Sequence, residues 1–437
     1  MADLLAATDT SPAPITASLK TLEASAAWTA VLARGIARVQ PWLLYAFCFG
    51  ITFSNAVVET ASTLLIVCWL LQRVWLERRP LHHTRPTRTV RWALFAYLAI
   101  CALSIITSSH PDLSIKGFVG KTLQYGLIML AVADVARRPG VARRAIWALI
   151  ASTVVAVVDT GVQYATGREL LFGYGFPFID FGGRLTGPFR NPIDLATCLV
   201  VLLPLVAVRM GTGAWWRRAL LVILGLGLLG IVVNATTRSG WLSLFAATAV
   251  LAWARPLRRQ VIPIVAIAFL IGLMVFAAEG RLRGAITLTD VGSQDRIYMW
   301  RSAIWMIKER PLLGHGVNTF MANYLSHWVG GEQQPRYAHN CYLQVAAETG
   351  VFGLAAFVWL LGSLWLVGWR TLARLTVVED QRLLLACLAG VTAFLMQALM
   401  DTSFYGVRLA ALFWCLAGFV LGYASPDTHD TPIHTPS

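Results

Sequence analysis

Charge is scarce in this chain. Asp, Glu, Lys and Arg make up 13% of its 437 residues while 57% are hydrophobic, and mean hydropathy is +0.64. Soluble domains carry about twice that charged fraction, so the composition excludes a soluble globular protein. Ten-residue stretches of alternating polarity are missing too, which excludes a transmembrane β-barrel. The seven cysteines (Cys48, Cys68, Cys101, Cys198, Cys341, Cys387, Cys415) are scattered through hydrophobic segments and form no C-x-x-C pair. They read as small buried apolar residues and imply no disulfide framework. No Gly-rich phosphate loop, no G-x-S-x-G nucleophile and no His/Cys cluster at zinc spacing occurs. Paired aspartates that could hold a divalent ion in an external loop are also lacking, so neither metal nor cofactor is expected. Residues 1–37 lack the basic-then-apolar layout of a cleavable signal peptide. No 20–50-residue repeat appears, nor the matched broken helices of an inverted-repeat transporter.

What is present is a series of about twelve apolar segments, each near the ~20 residues that a bilayer core requires. They fall near 38–54, 56–74, 90–107, 118–136, 143–163, 192–210, 216–235, 238–254, 260–278, 346–369, 382–400 and 405–422. The expected fold is all-α: a polytopic membrane protein with one large external loop. Residues 1–37 form a cytoplasmic tail ending in an amphipathic helix, and 38–278 carry the first nine segments. Residues 279–345 form the large loop with short amphipathic helices, 346–422 the last three segments, and 423–437 a disordered tail.

The loops set the orientation. Nineteen basic residues follow the even-numbered segments, against seven in the short loops after odd-numbered ones (Lys116, Lys121, Arg168, Arg184, Arg190, Arg238, Arg408). By the positive-inside rule both termini are cytoplasmic. The net charge of +14 reports this topology, with no basic domain to suggest nucleic acid as a partner. Arg184, Arg190 and Arg238 then stand on the side that should be poor in positive charge.

Gly183-Arg184-Leu185-Thr186-Gly187-Pro188-Phe189-Arg190-Asn191-Pro192 ends in an N-cap and first-turn proline, so a helix starts here with its N-terminus outward. Free N–H groups and the helix dipole favour an anion at that point. Two arginines beside it can clamp a phosphate through forked hydrogen bonds. The competing role is snorkelling to headgroups, or pairing with Asp180 and Asp194. In Asn234-Ala235-Thr236-Thr237-Arg238-Ser239-Gly240-Trp241, Arg238 opens a membrane helix from a tight turn, facing a wet cavity or serving as an interfacial anchor.

In the large loop, Ile297, Trp300, Ile304 and Ile307 line up as one apolar stripe, with Arg296 and Arg301 flanking it. Gly314-His315-Gly316 is a turn, and His327 lies on a surface stretch. Further on, Arg336-Tyr337-Ala338-His339-Asn340-Cys341-Tyr342-Leu343-Gln344 runs into Glu348. Asn340, Gln344 and Glu348 share one face at i, i+4, i+8. A polar stripe entering a membrane segment implies a wet or protein-lined cavity. His339 is the natural base, imidazole's intrinsic pKa being ~6.5; as an isolated feature it would be a cap or interfacial residue.

Taken in order, Arg-Leu-Thr-Gly-Pro-Phe-Arg-Asn-Pro (184–192), Thr-Arg-Ser-Gly (237–240), Asp-Arg…Trp (295–300), Gly-His-Gly (314–316) and His-Asn-x-Tyr-Leu-Gln (339–344) resemble the O-antigen ligase superfamily. That group includes O-antigen polymerases and bacterial protein O-oligosaccharyltransferases. The resemblance spans roughly 180–355 and implies a GT-C-like membrane enzyme of lipopolysaccharide biosynthesis in the bacterial inner membrane. Its donor would be an undecaprenyl-diphosphate-linked glycan, its acceptor the lipid A–core oligosaccharide, and its active site would face the periplasm. The same resemblance implies a catalytic role for His339 and diphosphate binding by Arg184, Arg190, Arg238, Arg296 and Arg301. Asn340, Gln344, Glu348 and His315 would support them, with Glu348 or Asn340 orienting His339. Chemistry agrees: a glycosyl diphosphate is already activated, so positioning, proton removal and charge stabilisation suffice. Two other readings stay open, a polymerase or protein transferase of the same superfamily and a lipid-glycan transporter. A transporter would need ionisable residues along a path through the bilayer, and only Asp159 is placed deeply.

Overall fold

The computed structural model describes residues 13–76, 88–173, 184–211, 213–234, 238–253, 291–331 and 333–424, with single positions between 262 and 274. Every regular element among the described residues is helical. They are α1 (Ala13–Gly50), α2 (Asn55–Leu70), α3 (Arg88–Ile106), α4 (Pro111–Gly117), α5 (Gln124–Ala136), α6 (Val141–Thr166), α7 (Pro192–Met210), α8 (Trp215–Asn234) and α9 (Arg238–Leu251). After these come α10 (Val291–Glu309), α11 (Phe320–Tyr324), α12 (Cys341–Leu372), α13 (Val378–Gln397) and α14 (Val407–Tyr423). A π-helical turn, Phe118–Leu123, joins α4 to α5.

Among the described residues, seven helical stretches are long and apolar enough to cross a membrane, and Ser239–Leu251 and Val407–Tyr423 are shorter apolar helices. Outward faces carry large apolar side chains such as Leu64, Phe95, Val158, Ile223 and Val358, as lipid contact requires. This is a polytopic helical membrane protein. Most expected segments coincide with helices. All but a few single positions of the expected segment at 260–278, the loop part at 279–290, positions 174–183 and the tail beyond 424 lie outside the described residues. One difference is at the start: α1 is helical from Ala13, so residues 13–37 continue into the first expected segment as one helix through Pro41.

Local chemistry sets the boundaries. Ser54 caps α2 by accepting from the Val57 N–H, Asn191 caps α7 ahead of Pro192, and Asn340 caps α12; each oxygen satisfies N–H groups that the first turn leaves open. Within the bundle α14 packs on α5, α13 on α7 and α9, and α12 on α3. Glycines let the backbones approach: a Cβ on Gly390 would lie 2.7 Å from the Val201 carbonyl, and one on Gly418 would lie 2.7 Å from Val132. Close approach of this kind replaces the hydrophobic driving force that lipid removes.

The two ends of the bundle differ in chemistry. At the end holding the C-termini of α5 and α7 and the N-termini of α6 and α13, charges pair. Asp134 accepts from Arg73 and Trp69, Arg143 bridges Glu379 at 3.2 Å and Asp380 at 3.1 Å, and Arg209 binds Glu379 at 2.5 Å. The opposite end gathers the N-termini of α7, α9, α12 and α14 with the loop helices α10 and α11. Asp159, the deep carboxylate, accepts from the Leu171 N–H at 2.8 Å and so fastens the loop after α6.

α12 is two rods. At Gly350 the backbone turns to φ 70°, ψ −173°, a region open essentially to glycine alone. Leu312 fills the notch, its carbonyl oxygen 2.1 Å from where a Cβ would stand, and the Val351 N–H donates to the Pro311 carbonyl at 2.8 Å.

Candidate active site

His339 sits at the loop end of the bundle, two residues before α12. Its Nδ1 lies 2.9 Å from Oδ1 of Asp401. A carboxylate can only accept at this distance, so Nδ1 carries the proton and Nε2 presents a lone pair. The imidazole is about a third exposed while the Asp401 carboxylate is nearly buried. Two further bonds fix the pair: the Cys341 N–H donates to the Ala398 carbonyl at 2.8 Å, and the Thr402 N–H donates to Asp401 Oδ1 at 2.8 Å. Asp401 therefore orients His339, and neither Glu348 nor Asn340 does. Asn340 spends its side-chain oxygen on the Tyr342 and Leu343 N–H groups, both at 3.0 Å.

Among the described residues, three non-glycine residues have positive φ: Arg190 (57°), Asn318 (63°) and His339 (46°). All three are at this end. Such a conformation costs on the order of 1–3 kcal/mol and persists only where its surroundings enforce it.

The first arginine motif is held by α6. Gln163 Oε1 accepts from the Thr186 N–H at 3.0 Å and the Gly187 N–H at 2.9 Å, and its Nε2 donates to Thr186 Oγ1 at 3.0 Å. Gly187 is required here, with φ 46° and a Cβ position 2.4 Å from Thr160 Oγ1. The Gly187–Phe189 turn delivers Arg190 to its own end, exposed, directly before the Asn191 cap of α7. Arg184 is half-buried, and the neighbouring Leu185 N–H reaches Asn234 Oδ1 at 3.4 Å, bringing this motif beside the end of α8.

Arg408 completes the cluster and was counted in the sequence only as an outer charge. Its guanidinium lies 3.9 Å from the Phe189 ring centroid and donates to the carbonyls of Thr52 at 3.1 Å and Pro188 at 3.0 Å. Asp194, in the first turn of α7, lies within electrostatic reach of Asp401, Arg408 and His339, and Arg408 within reach of Asp194 and Arg190. The His339–Asp401 pair, Asp194, Arg190 and Arg408 thus gather near the start of α7.

Arg238 opens α9; its side chain lies outside the described residues. Its neighbour Ser239 accepts from Gln397 Nε2 at 3.0 Å, which places the start of α9 four residues from Asp401. In the loop, Asp295 pairs with Arg336 at 3.5 Å and so ties the start of α10, including Arg296, to the segment leading to His339. Arg301 is exposed on α10, with no described hydrogen bond or ion pair to the His339 group. The buried stripe of α10 is Met299, Ser302, Ala303 and Met306. The expected stripe is out of phase: Ile304 is exposed, while Ile297, Trp300 and Ile307 are partly buried.

Gln344 and Glu348 share a face of α12, as expected, and build the floor beneath the loop. Glu348 accepts from Asn318 N at 2.7 Å, Phe320 N at 3.2 Å, Gln344 Nε2 at 3.2 Å and the Tyr405 hydroxyl at 2.8 Å. Lys121, in the π-helical turn, donates to Asn318 Oδ1 at 2.8 Å and stands over the Tyr405 ring. A cavity of about 60 Å³ lies among Lys121, Asn318, Glu348 and Tyr405, room for water but not for a sugar ring.

His315 belongs elsewhere. It is buried with Nε2 3.1 Å from the Met306 carbonyl, and burial holds its imidazole below the usual pKa. His327, expected on the surface, is buried too and contacts Glu309 at 2.8 Å. Spacing along the chain could not reveal this grouping, because three separate segments supply it.

Residues 219–358 match the family model described as O-antigen ligase. This match supports kinship of the middle region with the O-antigen ligase/polymerase superfamily. The match covers α8 from residue 219, α9, the loop helices and His339, and ends before Asp401; Arg184 and Arg190 precede it. No curated protein matches the chain.

Proposed function

We propose that this chain, with its O-antigen ligase domain, is a glycosyltransferase of lipopolysaccharide biosynthesis. It transfers O-antigen from undecaprenyl diphosphate to lipid A–core oligosaccharide at the periplasmic face of the inner membrane. The observation that carries this reading is His339. Its Nδ1–H is taken by Asp401, its Nε2 is left to accept a proton, and Arg408 binds the Pro188 carbonyl two residues before Arg190, at the start of α7.

In the proposed reaction the acceptor hydroxyl gives its proton to His339 Nε2. The acceptor oxygen bonds to the anomeric carbon as the bond from that carbon to the diphosphate oxygen breaks. Undecaprenyl diphosphate leaves with the electron pair, and a single displacement inverts the anomeric centre. Asp401 holds the tautomer and stabilises the imidazolium that forms, the role of a buried carboxylate behind a catalytic histidine. Binding of the departing charge falls to Arg190, Arg184 and Arg238 in this scheme, with the α7 and α9 N-termini adding their dipoles. Arg408 shapes this site by holding Phe189 and the Pro188 carbonyl. Arginine charge replaces a metal ion in this scheme.

The test is a reconstituted assay with lipid-linked glycan and three acceptors: lipid A–core, a second lipid-linked glycan, and a pilin-like protein. Product on lipid A–core supports the ligase. Product only on the second glycan or the protein assigns a polymerase or a protein transferase, and vectorial movement without product assigns a transporter.

A further inference from the structure

We infer that Glu309, His315 and His327 form a binding site for a divalent transition-metal ion of zinc's class. Their candidate ligand atoms all lie within 4.8 Å of one another. Glu309 is the last residue of α10, His315 stands in the Gly314-His315-Gly316 turn, and His327 closes the short turn after α11.

The hydrogen bonds decide which atoms are available. His327 Nδ1 is 2.8 Å from the Asn323 carbonyl, and a carbonyl only accepts, so Nδ1 carries the proton. Nε2 then points a lone pair at Glu309 Oε2, 2.8 Å away. Two acceptors at that distance require a shared cation. His315 Nε2 likewise donates to the Met306 carbonyl at 3.1 Å, which leaves Nδ1 as its lone-pair atom. A backbone carbonyl on one ring nitrogen is how metal-binding histidines are commonly oriented.

The second imidazole argues for a metal ion over a proton as the shared cation. The two rings stand 5.1 Å apart, edge to face, and Trp305 packs on His327 at 5.2 Å. A proton serves one pair, whereas a divalent ion takes both imidazoles and the carboxylate together. Two nitrogens and one oxygen suit zinc, at ~2.0–2.2 Å each, with water at the fourth position. Ligand atoms of one tetrahedral zinc stand about 3.3–3.6 Å apart at those bond lengths, so the site reaches that spacing by side-chain shifts on the order of 1 Å on binding, in which the half-exposed Glu309 carboxylate can take part.

The ion would join three separate loop segments. The turn it holds is docked on α12, since the His315 N–H donates to the Ala347 carbonyl at 3.0 Å and the Gly316 N–H to the Glu348 carbonyl at 2.8 Å. None of the three residues bonds to His339, Asp401 or Arg408 among the described residues, so the role is structural. The inference is independent of the reaction proposed above.

The experiment uses the full chain in detergent, purified without a histidine tag and stripped with EDTA. Zinc is added back while bound metal and unfolding temperature are followed, and cobalt serves as a spectroscopic probe. Wild type should bind about one zinc per chain, unfold several degrees higher with it, and give tetrahedral cobalt absorption. E309Q and H327N should bind zinc about 100-fold more weakly. In EDTA, E309Q should unfold where stripped wild type does, which separates lost binding from lost folding. No zinc-dependent rise in wild type would overturn the site. So would a rise that persists in both variants, since that would place the metal on other histidines.

Discussion

His339 and Asp401 are 62 positions apart in sequence and 2.9 Å apart in space, and only one imidazole nitrogen remains free after they meet. Asp401→Asn should therefore damage turnover while sparing donor binding. An amide can offer its NH2 to Nδ1 and favour the wrong tautomer. Transfer should fall by ~10²–10⁴, as should His339→Ala. Single-turnover transfer and a separate lipid-glycan binding measurement check this; near-normal transfer in either variant removes His339 as the base.

Arg190→Lys and Arg238→Lys should keep expression and topology and still lose most transfer. A diphosphate gripped by two prongs needs the guanidinium plane, which lysine lacks. A topological anchor needs charge alone. Full transfer by both variants would make them anchors and move the anion site to Arg296, Arg301 and Arg336.

Gly350→Ala should destabilise the protein rather than its chemistry. The new Cβ meets the Leu312 carbonyl oxygen at 2.1 Å, in a backbone region whose strain alone costs on the order of 1–3 kcal/mol. Thermal unfolding in detergent should drop by several degrees, with the rate per folded molecule preserved.

Glu348→Ala should likewise act on the fold. It leaves the donors on Asn318, Phe320, Gln344 and Tyr405 without their acceptor, at about 1–3 kcal/mol for each donor left buried and unmet. Glu348→Gln keeps one acceptor oxygen and should fall between. If Glu348→Gln instead abolished transfer at unchanged unfolding temperature, Glu348 would belong to the reaction.

Transfer should continue in EDTA. Chelation should lower the unfolding temperature through Glu309, His315 and His327 while leaving the rate per folded molecule unchanged. A strict need for Mg²⁺ or Mn²⁺ during turnover would overturn the arginine mechanism.

Local signals carried far in this sequence. The Asn-Pro start of α7 and the Asn340 cap were readable because capping is a matter of adjacent residues, and the order of the motifs pointed to the family now matched at 219–358. Asp401 was less accessible. Nothing in its sequence neighbours says which loop it meets. Arg408 looked like one more interfacial charge until Phe189 and Pro188 folded over it. The stripe on α10 was misphased for a physical reason. α10 carries apolar residues on its exposed and its core-facing sides alike, so Ile304 and Met306 are indistinguishable by type.

The break at Gly350 has a mechanical consequence. The rod before it, with Gln344 and Glu348, is fastened to the loop through Gly316, Asn318 and Phe320, while the rod after it packs into the bundle on one side and exposes Val358 on the other. Changes in bilayer thickness tilt and shift spanning helices at modest energetic cost. Here such tilting can be absorbed at a notch made of one glycine and the Pro311-Leu312 backbone, before it reaches the imidazole. The His339–Asp401 geometry proposed for catalysis can thus stay the same in membranes of different depth.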